Sequence, residues 1–550
     1  MTFYKRIELF SLLVFAIVNT AVAAPPTVDR LSPPGGKRGN TVTVSLSGKI
    51  GNGDVGVWCS RKSITISVDA KAKKLSVTIP PKATPGLCWI RLFNLEGVSA
   101  LKPFIVGTLD EISEKEPNSR LSEAHRLETS KVVINGVLSK NGEVDTFAVE
   151  LKKGETLVAS MLANRMLASP MDGILQIVSP RGFVLEQNDD AFGFDPQIVF
   201  TAPQDGLYYV RTFAFPATPN SSIRFSGASS YVYRLTITTG PFVDHVFPLA
   251  FNRSTKYRRQ LFGWNVPHEF NGIEISTDEK NETTVLHHPE LANTLSLRVT
   301  PHSVAVEKEP NNAAAPQVVS IPVTLTGRID SPGDVDSYRF SAKKGEKLLF
   351  RIESRKLGYP LDPVLRLFDS AGKLLKEQET RSKGVFDEQL AYTMPADGDY
   401  RLDVTDLHSA GGLRYVYLLT LEPQQPNYSL VLKADTFQIT PGNPLEIPVT
   451  VTREYGFADE IKISIAALPD GLFAKPVLSK AKGATAKSVK LVLRANATVS
   501  FNAPVQLIGQ STGKSPMKRF AAAPVKDHTE KTRDIWLTVL PSKPVEAKKP

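Results

Sequence analysis

The chain has little of the material from which most catalytic and transition-metal sites are built: two cysteines and eight histidines in 550 residues. No His-Glu-x-x-His or comparable ligand spacing occurs among the histidines, which argues against a zinc hydrolase. Cys59 and Cys88 have no histidine partner by motif, so a thiol nucleophile is unsupported. Glycine is plentiful, yet no glycine-rich loop joins a strand to a helix, and a phosphate-cradling nucleotide site is not expected. Long segments with helical apolar spacing are missing. So, beyond the first residues, is any run long and apolar enough to cross a bilayer. The formal charge of +10 is spread along the chain, without the basic stripe that nucleic acid would require. Mild attraction to an acidic envelope surface or polysaccharide is the partner class this charge allows.

What is present begins with an export signal. Lys5-Arg6, an apolar run from Leu9 to Val18 and the small residues Ala21-Val22-Ala23-Ala24 predict a secretory signal peptide over 1–23, cleaved after Ala23. An uncleaved anchor is the alternative. Loss of Lys5, Arg6 and Glu8 removes one net positive charge and leaves +9. The expected location is secreted, periplasmic or cell-envelope, with no membrane span after cleavage. In an oxidising compartment Cys59 and Cys88, on neighbouring strand-like segments, can close a disulfide; two buried free thiols are the alternative.

The chain also contains an internal repeat. Glu114-Lys115-Glu116-Pro117-Asn118 recurs as Glu307-Lys308-Glu309-Pro310-Asn311. Gly142-Glu143-Val144-Asp145-Thr146-Phe147 matches Gly333-Asp334-Val335-Asp336-Ser337-Tyr338, and Lys152-Lys153-Gly154-Glu155 matches Lys343-Lys344-Gly345-Glu346. Further on, Asp205-Gly206-Leu207-Tyr208 parallels Asp397-Gly398-Asp399-Tyr400, and Tyr231-Val232-Tyr233 parallels Tyr415-Val416-Tyr417. Order and spacing hold over about 120 residues, which marks a duplicated domain. Within each copy polar and apolar residues alternate in short runs separated by turn residues, the period of strands in a β-sandwich.

Taken in this order, the Glu-x-Glu-Pro-Asn opening, the Gly-x-x-Asp-x-Phe/Tyr strand, the Lys-Gly-Glu turn and the Asp-Gly-x-Tyr strand resemble the bacterial pre-peptidase C-terminal domain. The resemblance covers residues 111–240 and 304–423 and implies two jelly-roll-like sandwiches, of a kind commonly appended to secreted peptidases. No peptidase domain accompanies them. Residues 24–110 resemble an immunoglobulin-like module of the transcription-factor/plexin-associated type, 241–303 read as a small β-rich intervening module, and 424–540 as a final immunoglobulin-like domain. A Lys/Pro-rich tail over 541–550 is expected to be disordered. The fold class is therefore all-β, a string of β-sandwich domains.

The acidic openings are the best candidate site. Ca²⁺ takes six to eight hard oxygens, which Glu307, Glu309, Asn311, Asp334 and Asp336 would supply if the Glu-x-Glu-Pro-Asn segment lies beside the next strand. In the first copy Glu114, Glu116, Asn118 and Asp145 correspond, with Ser119 and Glu143 where the second has Asn312 and Asp334. Some relatives of the resembled domain, notably the collagen-binding modules of bacterial collagenases, bind Ca²⁺ with this kind of arrangement. The departures favour the second copy; a solvated linker whose carboxylates cap turns is the alternative for both.

Gly509-Gln510-Ser511-Thr512-Gly513 matches a nucleophile elbow formally. Pro516 opposes the helix that such an elbow needs, so a hairpin turn is expected. Trp264, Phe192, Phe194, Phe213 and Phe215 offer aromatic area, read chiefly as core or interface packing. The expected function is a non-catalytic binding or scaffold protein, not an enzyme, whose partner is an extracytoplasmic protein or polysaccharide. An accessory role beside a peptidase or its substrate is the alternative, and a hydrolase using Ser511 the remote one.

Overall fold

The computed structural model describes residues 24–51, 54–218, 224–252, 254, 259–268, 274–275, 283–379 and 387–541. The expected signal peptide and all but the first residue of the expected tail lie outside them. Among the described residues the regular structure is almost entirely strand, with one four-residue α-helix, Asn164–Leu167, and two short 3₁₀ turns, Leu121–Glu123 and Arg355–Leu357. No helix there is long and apolar enough to cross a membrane.

The repeat appears as two sandwiches with the same strand order. In the first, one sheet runs Asp110–Ser113, Lys131–Val137, Val232–Thr238, Thr156–Leu162, Gln197–Thr201. Its partner runs His125–Arg126, Asp145–Leu151, Gly206–Pro216, Met171–Val178, Val184–Asn188. The second copy repeats this strand for strand, from Ser303–Val306 beside Val323–Arg328 to Leu374–Gln378 at the far edge. Alternation buries one set of side chains between the sheets: Phe147, Val149, Leu157 and Tyr233 in the first copy, Tyr338, Phe340, Leu348 and Tyr417 in the second. Each large apolar side chain so buried stabilises the fold by about 1.5–3 kcal/mol relative to exposure.

The first and last modules are also two-sheet sandwiches. In the first, Arg30–Ser32, Thr41–Ser47, Lys74–Thr78 and Thr65–Asp69 form one sheet; Gly35–Lys37, Lys102–Gly107, Gly86–Asn94 and Gly56–Cys59 form the other. The intervening stretch does not keep a core to itself. Val243, Val246, Phe247, Leu286 and Leu297 pack in one cluster with Tyr359, Val416 and Leu418 of the second copy. The cause is the second copy's outer face: Val416 and Leu418 lie in the strand Val416–Pro423 whose alternate residues, Tyr417 and Leu419, fill the sandwich core, so this face needs cover from outside.

The first and last modules meet. In the strand Gly86–Asn94, Cys88, Ile90 and Leu92 point into their own core, and the alternate residues Trp89, Arg91 and Phe93 face the last module. Arg91, only 1% exposed, pairs with Asp435. The Trp536 ring lies 5.2 Å from Phe93 and 6.1 Å from Trp58, with the Arg91 guanidinium over it at 5.6 Å. Trp536 Nε1 donates to Asn502 Oδ1 at 2.6 Å, and Asn502 Nδ2 donates to the Asn94 carbonyl.

The aromatic residues singled out by sequence are mostly packed, as expected. Phe192 lies between the guanidinium groups of Arg165 (4.8 Å) and Arg414 (4.3 Å), at the seam of the two copies. Phe213 stacks on Phe225, Trp264 tilts against Phe242, and Phe215 is partly buried beside Phe213. Phe194 is exposed.

Candidate metal centres

Each Glu-x-Glu-Pro-Asn segment follows directly on the strand that enters its sandwich. Asp110–Ser113 pairs in parallel with Lys131–Val137, and Ser303–Val306 with Val323–Arg328. Glu114 and Glu307 therefore sit one residue beyond these strands, over the sheet they have just joined. In the first copy the entering strand is also held by Arg234, whose two terminal nitrogens each reach a Glu111 carboxylate oxygen at 2.7 Å. The segment then crosses to the opposite sheet, where the Asn118 carbonyl accepts from Thr146 N at 3.0 Å and the Asn311 carbonyl from Ser337 N at 2.5 Å. Those amides adjoin Asp145 and Asp336. The crossing thus brings both glutamates of a motif to the aspartate of the next strand.

In both copies one carboxylate oxygen from each of three residues lies within 4.8 Å of the others: Glu114, Glu116 and Asp145 in the first, Glu307, Glu309 and Asp336 in the second. The aspartate is buried, the first glutamate half-buried and the second exposed, so the cluster opens to solvent on one side. Glu114 Oε1 accepts from Val137 N at 2.7 Å, and Glu307 Oε2 from Arg328 N at 2.8 Å. Glu116 and Glu309 each accept from the backbone N–H of the motif asparagine at 3.1 Å.

The asparagines test whether these residues suit a cation. Asn118 is fully buried, and neither its Oδ1 nor its Nδ2 has a hydrogen-bond partner; Asp145 Oδ1 is likewise unpartnered. Asn311 lies between Glu309 Oε1 and Asp336 Oδ1, and with its amide turned so that Nδ2 faces them it donates to both at 3.1 Å. Burying such groups without partners costs about 1–3 kcal/mol each. A hard cation offers the unpartnered Asn118 and Asp145 oxygens of the first copy a partner, and the second copy holds the same carboxylate trio, so the donor set fits Ca²⁺.

Electrostatics point the same way. Burial, then the neighbouring carboxylates, pushes Asp145 and Glu307 far above the usual carboxylate range; Asp336, raised first by burial, reaches about 8. The Tyr233 hydroxyl stands 2.6 Å from Asp145 Oδ2 and 2.9 Å from Glu114 Oε2, and the Tyr417 hydroxyl 2.5 Å from Asp336 Oδ2. One hydroxyl proton cannot serve two carboxylates, so without a cation the cluster must hold protons. In chelator the folded chain therefore binds more protons than the unfolded chain from the ordinary carboxylate range near pH 4 up to about pH 8 for Asp336, about 9 for Glu307 and about 10 for Asp145. The sign follows: stability contributed by these carboxyls is full below about pH 4 and is lost as pH rises through about 8 for Asp336, about 9 for Glu307 and about 10 for Asp145. Chelator melting curves across that range should fall with pH, and curves in calcium should fall less.

Asp334 is not one of the three closely grouped carboxylates, although its charge adds to burial in raising Glu309 and Asp336. Its Oδ2 accepts from Asp330 N and its Oδ1 from Val335 N, so it caps the turn. Glu143 does the same for Ser139 and Lys140. Asn312, opposite Ser119, accepts from Ala314 N and Ala315 N. The differences that favoured the second copy thus fall on turn caps, and the two clusters assemble alike.

Tyr233, Tyr417 and two glycines were not singled out as site residues by sequence. A Cβ on Gly136 would lie 2.6 Å from Glu114 Oε2 and closer still to Tyr233; one on Gly327 would lie 2.7 Å from Glu307 Oε2 and closer to Tyr417. Aligning the two copies would have exposed both pairs. Gly327→Ala should cost about 1–3 kcal/mol and remove the calcium response of the second copy alone, as read by differential scanning calorimetry.

Cys59 and Cys88 are both free thiols, not the expected bridge. Cys59 lies opposite Ile90, which places Cys88 on the diagonal, at a Cα separation of about 7–8 Å where bridges usually need under about 7. Ser511 is 2% exposed at the end of the strand Asn502–Ser511, and its Oγ accepts from Met517 N at 2.8 Å. It is a buried strand residue rather than an exposed elbow, so a serine-reactive fluorophosphonate should leave the chain unlabelled.

No curated protein matches this chain. Among solved structures it is similar to PliG of Aeromonas hydrophila, a periplasmic inhibitor of g-type lysozyme, at 17% identity over 20% of this chain and 98% of that one, with TM-score 0.16. The M60 catalytic domain of Clostridium perfringens ZmpB with its CBM51 domains is 10% identical over 76% of this chain and 56% of that one (TM-score 0.14). The fibronectin(III)-like modules of Clostridium thermocellum CbhA are 13% identical over 38% and 92% (TM-score 0.13). Scores this low carry no argument about function. Residues 143–214, which include Asp145 and the strands that follow it, match the bacterial pre-peptidase C-terminal domain.

Proposed function

We propose that this chain is an exported, non-catalytic binding scaffold, in which two calcium-holding sandwiches of the pre-peptidase C-terminal type are set between immunoglobulin-like modules and present surfaces to an envelope protein or polysaccharide. One observation carries the reading. The same oxygen-donor cluster is built twice, each time where the entering strand meets its sandwich, so a cation there fixes how a module is mounted. Glu114, Glu116, Asn118 and Asp145 would hold one ion; Glu307, Glu309, Asn311 and Asp336 would hold the other. When bound, Ca²⁺ supplies positive charge that lets the buried carboxyls ionise. The chain's own residues do the positioning: Gly136 and Gly327 leave room, and Tyr233 and Tyr417 orient the aspartates.

The match over 143–214 favours a second reading, an accessory acting beside a peptidase. The test is retention of envelope material on the immobilised full chain, in calcium and in chelator, with the purified chain assayed in parallel on protein, ester and glycan substrates. Calcium-dependent retention without turnover supports the scaffold, and co-retained proteolytic activity moves the reading to the accessory. Turnover by the purified chain itself contradicts both.

A further inference from the structure

The two thiols lie directly behind the contact between the first and last modules. Cys59 ends the edge strand Gly56–Cys59, whose one strand neighbour is Gly86–Asn94. The residues beside the thiols point the other way: Trp58 onto Trp536 (6.1 Å) and Trp89 onto His528 (4.8 Å). Cys88 is fully buried and donates to the Phe104 carbonyl at 3.3 Å, whereas Cys59 is partly exposed. The Arg61 guanidinium stands beside them, anchored to the Leu87 carbonyl at 2.8 Å and to the Thr84 and Pro85 carbonyls.

We propose that Cys59 is a thiol–disulfide exchange site, with Cys88 as its resolving thiol, and that closing the pair pins the strand bearing Trp58 and so tightens the contact between the first and last modules. The oxidant is a small-molecule or protein disulfide. The Cys59 thiolate attacks one sulfur of that disulfide, forming a mixed disulfide and expelling one thiolate. Cys88, as thiolate, attacks the Cys59 sulfur and expels the second. Two protons from the cysteines end on the two departing thiols, so two cysteines are oxidised and one disulfide is reduced.

The assignment of roles follows from the surroundings. The neighbouring Cys88 side chain, and then the Arg61 backbone N–H and charge, hold the Cys59 thiol below the ordinary thiol range against the opposing effect of burial. The adjacent Cys59 side chain and burial push Cys88 up. The more acidic and more exposed thiol reacts first. The diagonal placement of the two residues means that closure must draw the edge strand along its neighbour by part of a residue, and Trp58 moves with it.

Three of the chain's four tryptophans, Trp58, Trp89 and Trp536, line this contact, so intrinsic fluorescence reads it. The probe is oxidised glutathione added to the full chain at about pH 8. Peptide mapping should find Cys59 joined to Cys88, and the fluorescence-detected melting midpoint should rise by about 5 °C or more over the reduced chain. Cys88→Ser should instead stop at a glutathione adduct on Cys59, and Cys59→Ser should leave Cys88 unmodified. Reaction at Cys88 first, a persistent adduct on Cys59 of the unsubstituted chain, or a bridge that leaves the midpoint unmoved would each overturn the proposal. Both serine variants can be checked for folding by the tryptophan fluorescence and melting of the reduced chain, which read this module directly.

Discussion

Replacing Trp536 by alanine should part the first module from the last while leaving both folded. The strand Ile535–Val539 alternates: Ile535, Leu537 and Val539 belong to the last module's core, and Trp536 points away from it. Trp536 is nonetheless only 2% exposed, because Trp58, Phe93 and Arg91 cover it. Truncation removes a large buried ring, a loss of about 3–5 kcal/mol at well-packed positions. That loss falls on the contact, and Arg91, paired with Asp435 there, is then opened to water. Small-angle scattering should show a larger maximum dimension, with the far-ultraviolet circular dichroism of a strand protein unchanged. An unaltered scattering profile would show that the chain is held in its arrangement by other contacts.

Asp336→Asn should abolish the calcium response of the second copy and leave that of the first. The substitution keeps the volume and removes the buried charge that a cation needs, while the Tyr417 hydroxyl retains an acceptor. If the site binds Ca²⁺, a calcium concentration one hundred times the dissociation constant stabilises the folded state by about 2.7 kcal/mol. For a sandwich of this size that corresponds to roughly 5–10 °C in melting temperature. In chelator the variant should melt at or above the temperature of the unsubstituted chain, because a carboxyl that burial had to keep protonated has been replaced by a neutral amide. Asp145→Asn should behave in the same way for the first copy.

The architecture was open to sequence reading wherever it repeats. Glu-x-Glu-Pro-Asn and Gly-x-x-Asp occur twice in fixed order, and period-two alternation follows each, so the sandwiches and the residues that meet in them could be inferred together. Asp334 was harder to read, because a carboxylate at a turn serves equally as a cap or as a ligand, and here it accepts from the backbone N–H groups of Asp330 and Val335. Gly136 and Gly327 escaped because a glycine needed for side-chain clearance looks like any strand glycine until the opposing tyrosine is known. The contact around Trp536 is of a third kind. Arg91 and Asp435 are 344 residues apart, and no periodicity in either segment records that they face each other. The cysteine pair shows the limit from the other side: compartment and proximity favoured a bridge, while register sets the two residues on a diagonal.

The central claim is that each acidic motif, with the aspartate of its neighbouring strand, holds one calcium ion. Isothermal titration of calcium into the chelator-treated full chain measures this directly. Two ions should bind per chain, one should be lost with Asp145→Asn, the other with Asp336→Asn, and both in the double variant. Absence of binding heat, or two ions still bound by the double variant, would contradict it.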